Sequence, residues 1–70
     1  MKISYDSKYD LLYIKLGNAR KVHNKPVSED ITLDFSGSGK LVGIEILDAS
    51  EHIDLASILP VKIQKSSSQK

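Results

Sequence analysis

The stretch that decides the fold is Leu41-Val42-Gly43-Ile44-Glu45-Ile46-Leu47-Asp48-Ala49-Ser50. Val42, Ile44 and Ile46 alternate with Leu41, Gly43, Glu45 and Leu47, the period-2 pattern of a strand with one buried face. The alternation then stops at a polar cluster with no loop between. Asp48 precedes Glu51 by three residues, the spacing of a capping box with Asp in place of Ser or Thr. After it, Ala49, Ile53, Ala56 and Leu59 fall near one helical stripe, widened by Leu55 and Ile58. Asp48, Glu51 and Asp54 bring negative charge to the positive end of that helix, and Pro60 stops it. The stretch is therefore a strand running directly into a helix of roughly three turns.

The same alternation recurs upstream. Ile3 and Tyr5 alternate with Lys2, Ser4 and Asp6; Leu12, Ile14 and Leu16 with Leu11, Tyr13 and Lys15; and Ile31, Leu33 and Phe35 with Asp30, Thr32 and Asp34. Four segments with one apolar face describe an antiparallel sheet buried on one side. Asp6 to Asp10 reads as a polar turn, Gly17-Asn18 ends the second strand, and Ser36-Gly37-Ser38-Gly39 forms a glycine-bearing hairpin loop. Lys21 to Val27 fits a fifth strand only at an edge or bulge, because Pro26 has no N–H to give to a ladder. Short links favour sequential neighbours. The expected fold is α+β: a four- or five-stranded antiparallel β-meander with one C-terminal α-helix packed on its apolar face. Residues 1–63 make one small domain, and the serine-rich residues 64–70 read as a disordered polar tail.

A chain of 70 residues buries only about 60% of its unfolded surface, so it is marginal alone. It has no cysteine, which removes both disulfides and thiolate metal sites as supports. Efficient packing and self-association remain as supports, and a homodimer is expected. A net charge of +1, with 40% hydrophobic and 27% charged residues, calls for neither nucleic acid nor a membrane as partner. The N-terminal Met1-Lys2-Ile3-Ser4-Tyr5-Asp6 lacks the apolar core of a signal peptide, which points to the cytoplasm.

Two segments, Tyr5 to Leu16 (YDSKYDLLYIKL) and Gly39 to Ser50 (GKLVGIEILDAS), together resemble the blocks of a small prokaryotic family, domain of unknown function 2283. The resemblance covers roughly residues 1 to 55. It implies a compact sheet-plus-helix domain that is usually a whole small protein, with no activity, cofactor or catalytic residue to carry over. Some such genes look like members of toxin–antitoxin pairs. That implies a protein-binding role with a partner encoded nearby.

The outward face of the sheet holds the candidate site. Tyr13, Lys15, Thr32, Asp34, Gly43 and Glu45 point away from the apolar core, with Tyr13, Leu11, Leu41 and Leu47 making that face greasier than a solvated surface. An interaction surface is the favoured reading, carried by Tyr13, Leu41, Leu47, Lys15, Asp34 and Glu45. The alternative is a small enzyme or ligand-binding domain that uses Asp34 and Glu45 as paired carboxylates, with Lys15 nearby. No catalytic residue and no cofactor is assigned. Asp48 and His52 share a helix face but lack further ligands for a metal; Asp48 and Glu51 read as the helix cap. Ser36-Gly37-Ser38-Gly39 carries neither a nucleophile elbow nor a phosphate-binding lysine. Arg20, Lys21, His23 and Lys25 form a small basic cluster, which serves solubility and edge protection as readily as phosphate binding.

Overall fold

The computed structural model describes residues 1–58 and the backbone of 64–65. Five strands follow the expected segments: β1 (Lys2–Asp6), β2 (Leu11–Lys15), β3 (Val22–Pro26), β4 (Ile31–Ser36) and β5 (Leu41–Ile46). These five pair antiparallel with one another. A two-residue strand, β6 (Gln64–Lys65), lies parallel to β1. The fold is mainly β, with a short helical piece after the sheet.

The spatial order is β3-β4-β5-β2-β1-β6, so the expected run of sequential neighbours breaks between β2 and β3. The reason lies in the strands. β5 carries Val42, Ile44 and Ile46 and profits from partners on both sides. β3 is Val-His-Asn-Lys-Pro, exposed at every position, and Pro26 suits it to an edge. Residues 16 to 21, six in all, join β2 to β3. Extended, they reach roughly 20 Å. Three strand spacings need about 14 Å. The crossover is therefore short but feasible, and it passes the end of the sheet where the β4–β5 hairpin turns.

Register puts the apolar residues on one face. Ile3 faces Ile14, which faces Ile44, which faces Leu33; Tyr5 faces Leu12, which faces Ile46, which faces Ile31. Ile3, Leu12, Ile46 and Ala49 form the buried core, and Leu12 is only 1% exposed. A register shift between Asp34 and Phe35 makes Phe35 the partner of Leu41, leaving Val42 as the extra residue on β5.

The helix departs from expectation. Instead of three continuous turns there is one turn, α1 (Ala49–His52), then Ile53 in extended conformation, then a 3₁₀ turn at Leu55–Ile58. A single helix would aim a stripe containing two alanines at the sheet. The break instead packs Ile53, Leu55 and Ile58 against the core and leaves Ala56 exposed. Branched side chains displace more water than Ala56 would, at about 25 cal/mol per Å² of apolar surface. The Asp54 carbonyl accepts both the N–H and the hydroxyl of Ser57, which shapes the second turn. Leu59, Pro60, Val61 to Ile63 and the tail beyond Lys65 lie outside the described residues. No helix among the described residues is long and apolar enough to cross a membrane.

Candidate functional site

The outer face is organised by a glycine. Gly43 sits mid-strand in β5, between Lys15 of β2 and Asp34 of β4. A Cβ at that position would lie 2.0 Å from the Tyr13 hydroxyl oxygen and 2.7 Å from the ring carbon that bears it. The phenol therefore lies along the sheet over Gly43, an approach that only a residue without a side chain permits. From there the Tyr13 hydroxyl donates to Asp34 Oδ2 at 2.9 Å, and Asn24 Nδ2 donates to Asp34 Oδ1 at 2.5 Å. The network runs from β2 over β5 to β4 and β3. Asp34 is 9% exposed, so a carboxylate sits buried on a face expected to be open.

Burial, followed by the hydrogen bond to Asp34 and the charges of Asp34 and Glu45, pushes the Tyr13 phenol above its ordinary range. A phenol held protonated beside a carboxylate that already accepts two side-chain hydrogen bonds is neither nucleophile nor general base. Glu45 stands directly across from Tyr13 on one side and Thr32 on the other. Lys15 is exposed and faces Lys2 across the β1–β2 pair. Leu41 and Leu47 are 38% and 42% exposed but mark opposite ends of β5, roughly 20 Å apart along the strand. The structure thus gathers Tyr13, Asp34 and Glu45, with Lys15 at their margin, and separates the two leucines.

A second cluster joins the β1–β2 turn to the helix. Asp48 occupies the position before α1, but its backbone is left-handed (φ 50°) and its side chain makes no capping hydrogen bond. Glu51 contributes its N–H to the Asp48 carbonyl, so the reciprocal capping box is absent. Asp10 does the capping from 40 residues away. Its carbonyl accepts the Ala49 N–H at 2.9 Å, and its carboxylate accepts the Ser50 N–H at 3.0 Å and the Ser50 hydroxyl at 2.7 Å. The Tyr5 hydroxyl donates to the same carboxylate at 2.8 Å. The hydrogen bonds from Ser50, then from Tyr5, hold the Asp10 carboxyl below its usual range. The bond to Asp10 raises the Tyr5 phenol in turn.

His52 reaches the neighbouring turn. Its Nε2 lies 2.9 Å from Asp30 Oδ2, pinning the helical turn to the β3–β4 turn. Ser50, His52 and two aspartates are thus close in sequence or space, yet the Ser50 hydroxyl donates a hydrogen bond to Asp10 and His52 turns to Asp30. That wiring activates no nucleophile. Among the described residues no group of three or more His, Asp or Glu side chains is arranged to hold a metal ion.

Sequence reasoning missed Asp10, Asn24 and the load on Gly43. A glycine inside an otherwise β-branched strand is a legible sign of close backbone approach. Nothing local marks Asp10, whose left-handed φ of 53° is unusual for a residue other than glycine. The basic cluster is divided: Arg20 and Lys21 border a cleft of about 470 Å³ at the hairpin end, whereas His23 and Lys25 belong to β3. Tyr13, Asp34 and Glu45 do not line that cleft.

No curated protein and no solved structure matches the chain. The family model described as "Protein of unknown function (DUF2283)" matches residues 2–50, from the start of β1 into α1. That span takes in all five antiparallel strands, the Tyr13–Asp34–Asn24 network and the Asp10 cap of the helix, and on it the chain belongs to the DUF2283 family of proteins of unknown function.

Proposed function

We propose that this chain is a small protein-interaction module that works as a cytoplasmic homodimer and acts by binding rather than by turnover. One observation carries the reading. Leu33 and Phe35 share the apolar face of the sheet but stand outside the core cluster over which the described helical turns pack. Leu16, next to that region, is 41% exposed. A strip of branched and aromatic side chains on a domain this small is the kind of surface a second copy covers. The outer face supports the same reading from the other side. Its buried carboxylate already accepts one donor on each oxygen, from Tyr13 and Asn24, which ties Asp34 into the sheet rather than freeing it to pair with Glu45 for acid–base chemistry. Lys15 and Glu45 remain at its surface as polar contacts for a partner, such as the product of a neighbouring gene whose activity the module restrains.

Sedimentation at micromolar concentration tests the proposal. The native chain is expected to run as a dimer, and Leu16→Glu as a folded monomer with the same circular dichroism. A native monomer at that concentration would overturn the dimer; a dimer indifferent to Leu16→Glu would move the contact off this strip. Co-expression with the adjacent gene product then tests restraint: release of that product's activity on Leu16→Glu or Glu45→Lys is the expected result.

A further inference from the structure

A net charge of +1 conceals a separation of charge along the strands. The antiparallel order brings the end of β2, the start of β3, the end of β4 and the start of β5 to one end of the sheet. Residues 15–22 and 36–42 sit there and include Lys15, Arg20, Lys21 and Lys40 with no Asp or Glu. Lys2 joins them, directly opposite Lys15. Like charges in facing positions cost stability. The opposite end holds Asp6, Asp10, Glu29, Asp30, Asp48 and Glu51, on a strand end, the turns and the first helical turn, against the cations Lys8 and Lys25.

The basic end also holds the cleft. The crossover from β2 to β3 passes the β4–β5 hairpin, and between them opens a space of about 470 Å³. Arg20 and Lys21 wall it from the crossover, and Lys40, Ser36 and Ser38 from the hairpin. The hairpin is internally braced. The Ser36 N–H donates to the Lys40 carbonyl at 2.8 Å, and the Gly39 N–H to the Ser36 carbonyl at 2.9 Å. The Lys40 N–H donates to Ser36 Oγ at 3.1 Å, and the two serine hydroxyls lie 3.0 Å apart. Lys40 is thus presented by a fixed loop, which lowers the entropy lost on binding.

We infer that this cleft binds a phosphate-bearing ligand, with Arg20, Lys21 and Lys40 neutralising the phosphate and the Ser36 and Ser38 hydroxyls offering neutral donors. Arginine supplies planar paired donors and lysine a mobile point charge, the usual combination for phosphate oxygens. The size suits a small ligand or a short run of backbone. Among the described residues no aromatic side chain lines the cleft, so recognition is of phosphate rather than of a stacked base. The acidic far end orients the field and steers an anion to this one.

Two sources share this chemistry, a free polyphosphate and a nucleic-acid backbone. Titration of the full-length chain with inorganic pyrophosphate and, separately, with a single-stranded oligonucleotide, followed by amide NMR shifts, distinguishes them. At least one probe is expected to give saturable shifts confined to residues 17–21 and 36–42. Arg20→Gln with Lys40→Gln is expected to weaken binding by about tenfold or more, the loss of one or more charge-assisted contacts. Lys8→Gln with Lys25→Gln removes the same charge elsewhere and is expected to leave binding unchanged. Saturation by pyrophosphate identifies a small ligand; saturation by the oligonucleotide alone, weakening steeply with salt, identifies a backbone. Equal loss in both double variants, or no saturable shift with either probe, overturns the inference.

Discussion

Two tyrosine–aspartate pairs hold this small sheet, and they do different work with the same chemistry. Tyr5 and Asp10 lie five residues apart and close the β1–β2 turn; Tyr13 and Asp34 lie 21 apart and span the outer face. Each aspartate takes a second donor from a distant segment, Ser50 for Asp10 and Asn24 for Asp34. The Asp10 pair remains in contact with solvent and anchors a helix that has only one turn. The Asp34 pair is buried and fixes four strands in register. The contrast teaches that a domain too small for a deep core can hold itself with a few polar ties, and that burial sets how much each tie matters.

The largest expected effect comes from the central pair. Gly43→Val forces Tyr13 off the sheet and strands Asp34, and should cost about 3 kcal/mol or more in urea unfolding. Retained stability would mean that the phenol can settle elsewhere, and the central tie would lose its special standing. Tyr13→Phe keeps the ring but removes the donor, with an expected loss of about 1–2 kcal/mol. Tyr5→Phe should lose clearly less, because Asp10 keeps both Ser50 donors and reaches water. An equal loss in the two variants would erase the distinction between buried and open pairs.

Titration sharpens the comparison from both sides. Asp10 binds its proton less tightly when folded, so its contribution is present above its ordinary value of 3.8 and is lost as pH falls through the lower folded value. Thermal melts in acid should show that loss, and Asp10→Asn should flatten it. Tyr13 binds its proton more tightly when folded, so its contribution is complete below its ordinary value of 10.0 and is lost as pH rises through the higher folded value. Alkaline melts of Tyr13→Phe should lack that decline. The smallest effect belongs to Asp48. With a left-handed backbone and no capping bond, Asp48→Gly should be neutral or stabilising within about 1 kcal/mol. A clear destabilisation would restore the Asp48 cap that the spacing to Glu51 suggests.

Much of the fold was legible because it is local. Alternation in Ile3–Tyr5, Leu12–Ile14, Ile31–Phe35 and Val42–Ile46 depends only on neighbours two apart, and each stretch became a strand with those residues inward, whereas Leu16 falls just past β2 and is exposed. Pro26 marked β3 as an edge for the same reason. The helix was harder to read. Its stripe matched helical spacing, but a stripe with Ala56 in it competes poorly with a broken path that packs Leu55 and Ile58. Of the outer-face residues, Gly43 was read only as outward-facing, although a glycine within a β-branched strand is a sign of close approach, while the burial of Asp34 depended on Tyr13 and Asn24 from other strands.

What the chain alone determined is the set of strands, their inward faces and the place where sheet gives way to helix, since side-chain periodicity encodes these within a few residues. Only the tertiary structure decided that β5 enters between β2 and β4, that Asp10 rather than Asp48 caps the helix, and that Arg20, Lys21 and Lys40 meet at one end. Those outcomes rest on contacts between residues some 20 to 40 positions apart, where the competition among strand edges, donors and charges is settled by which arrangement satisfies them all at once.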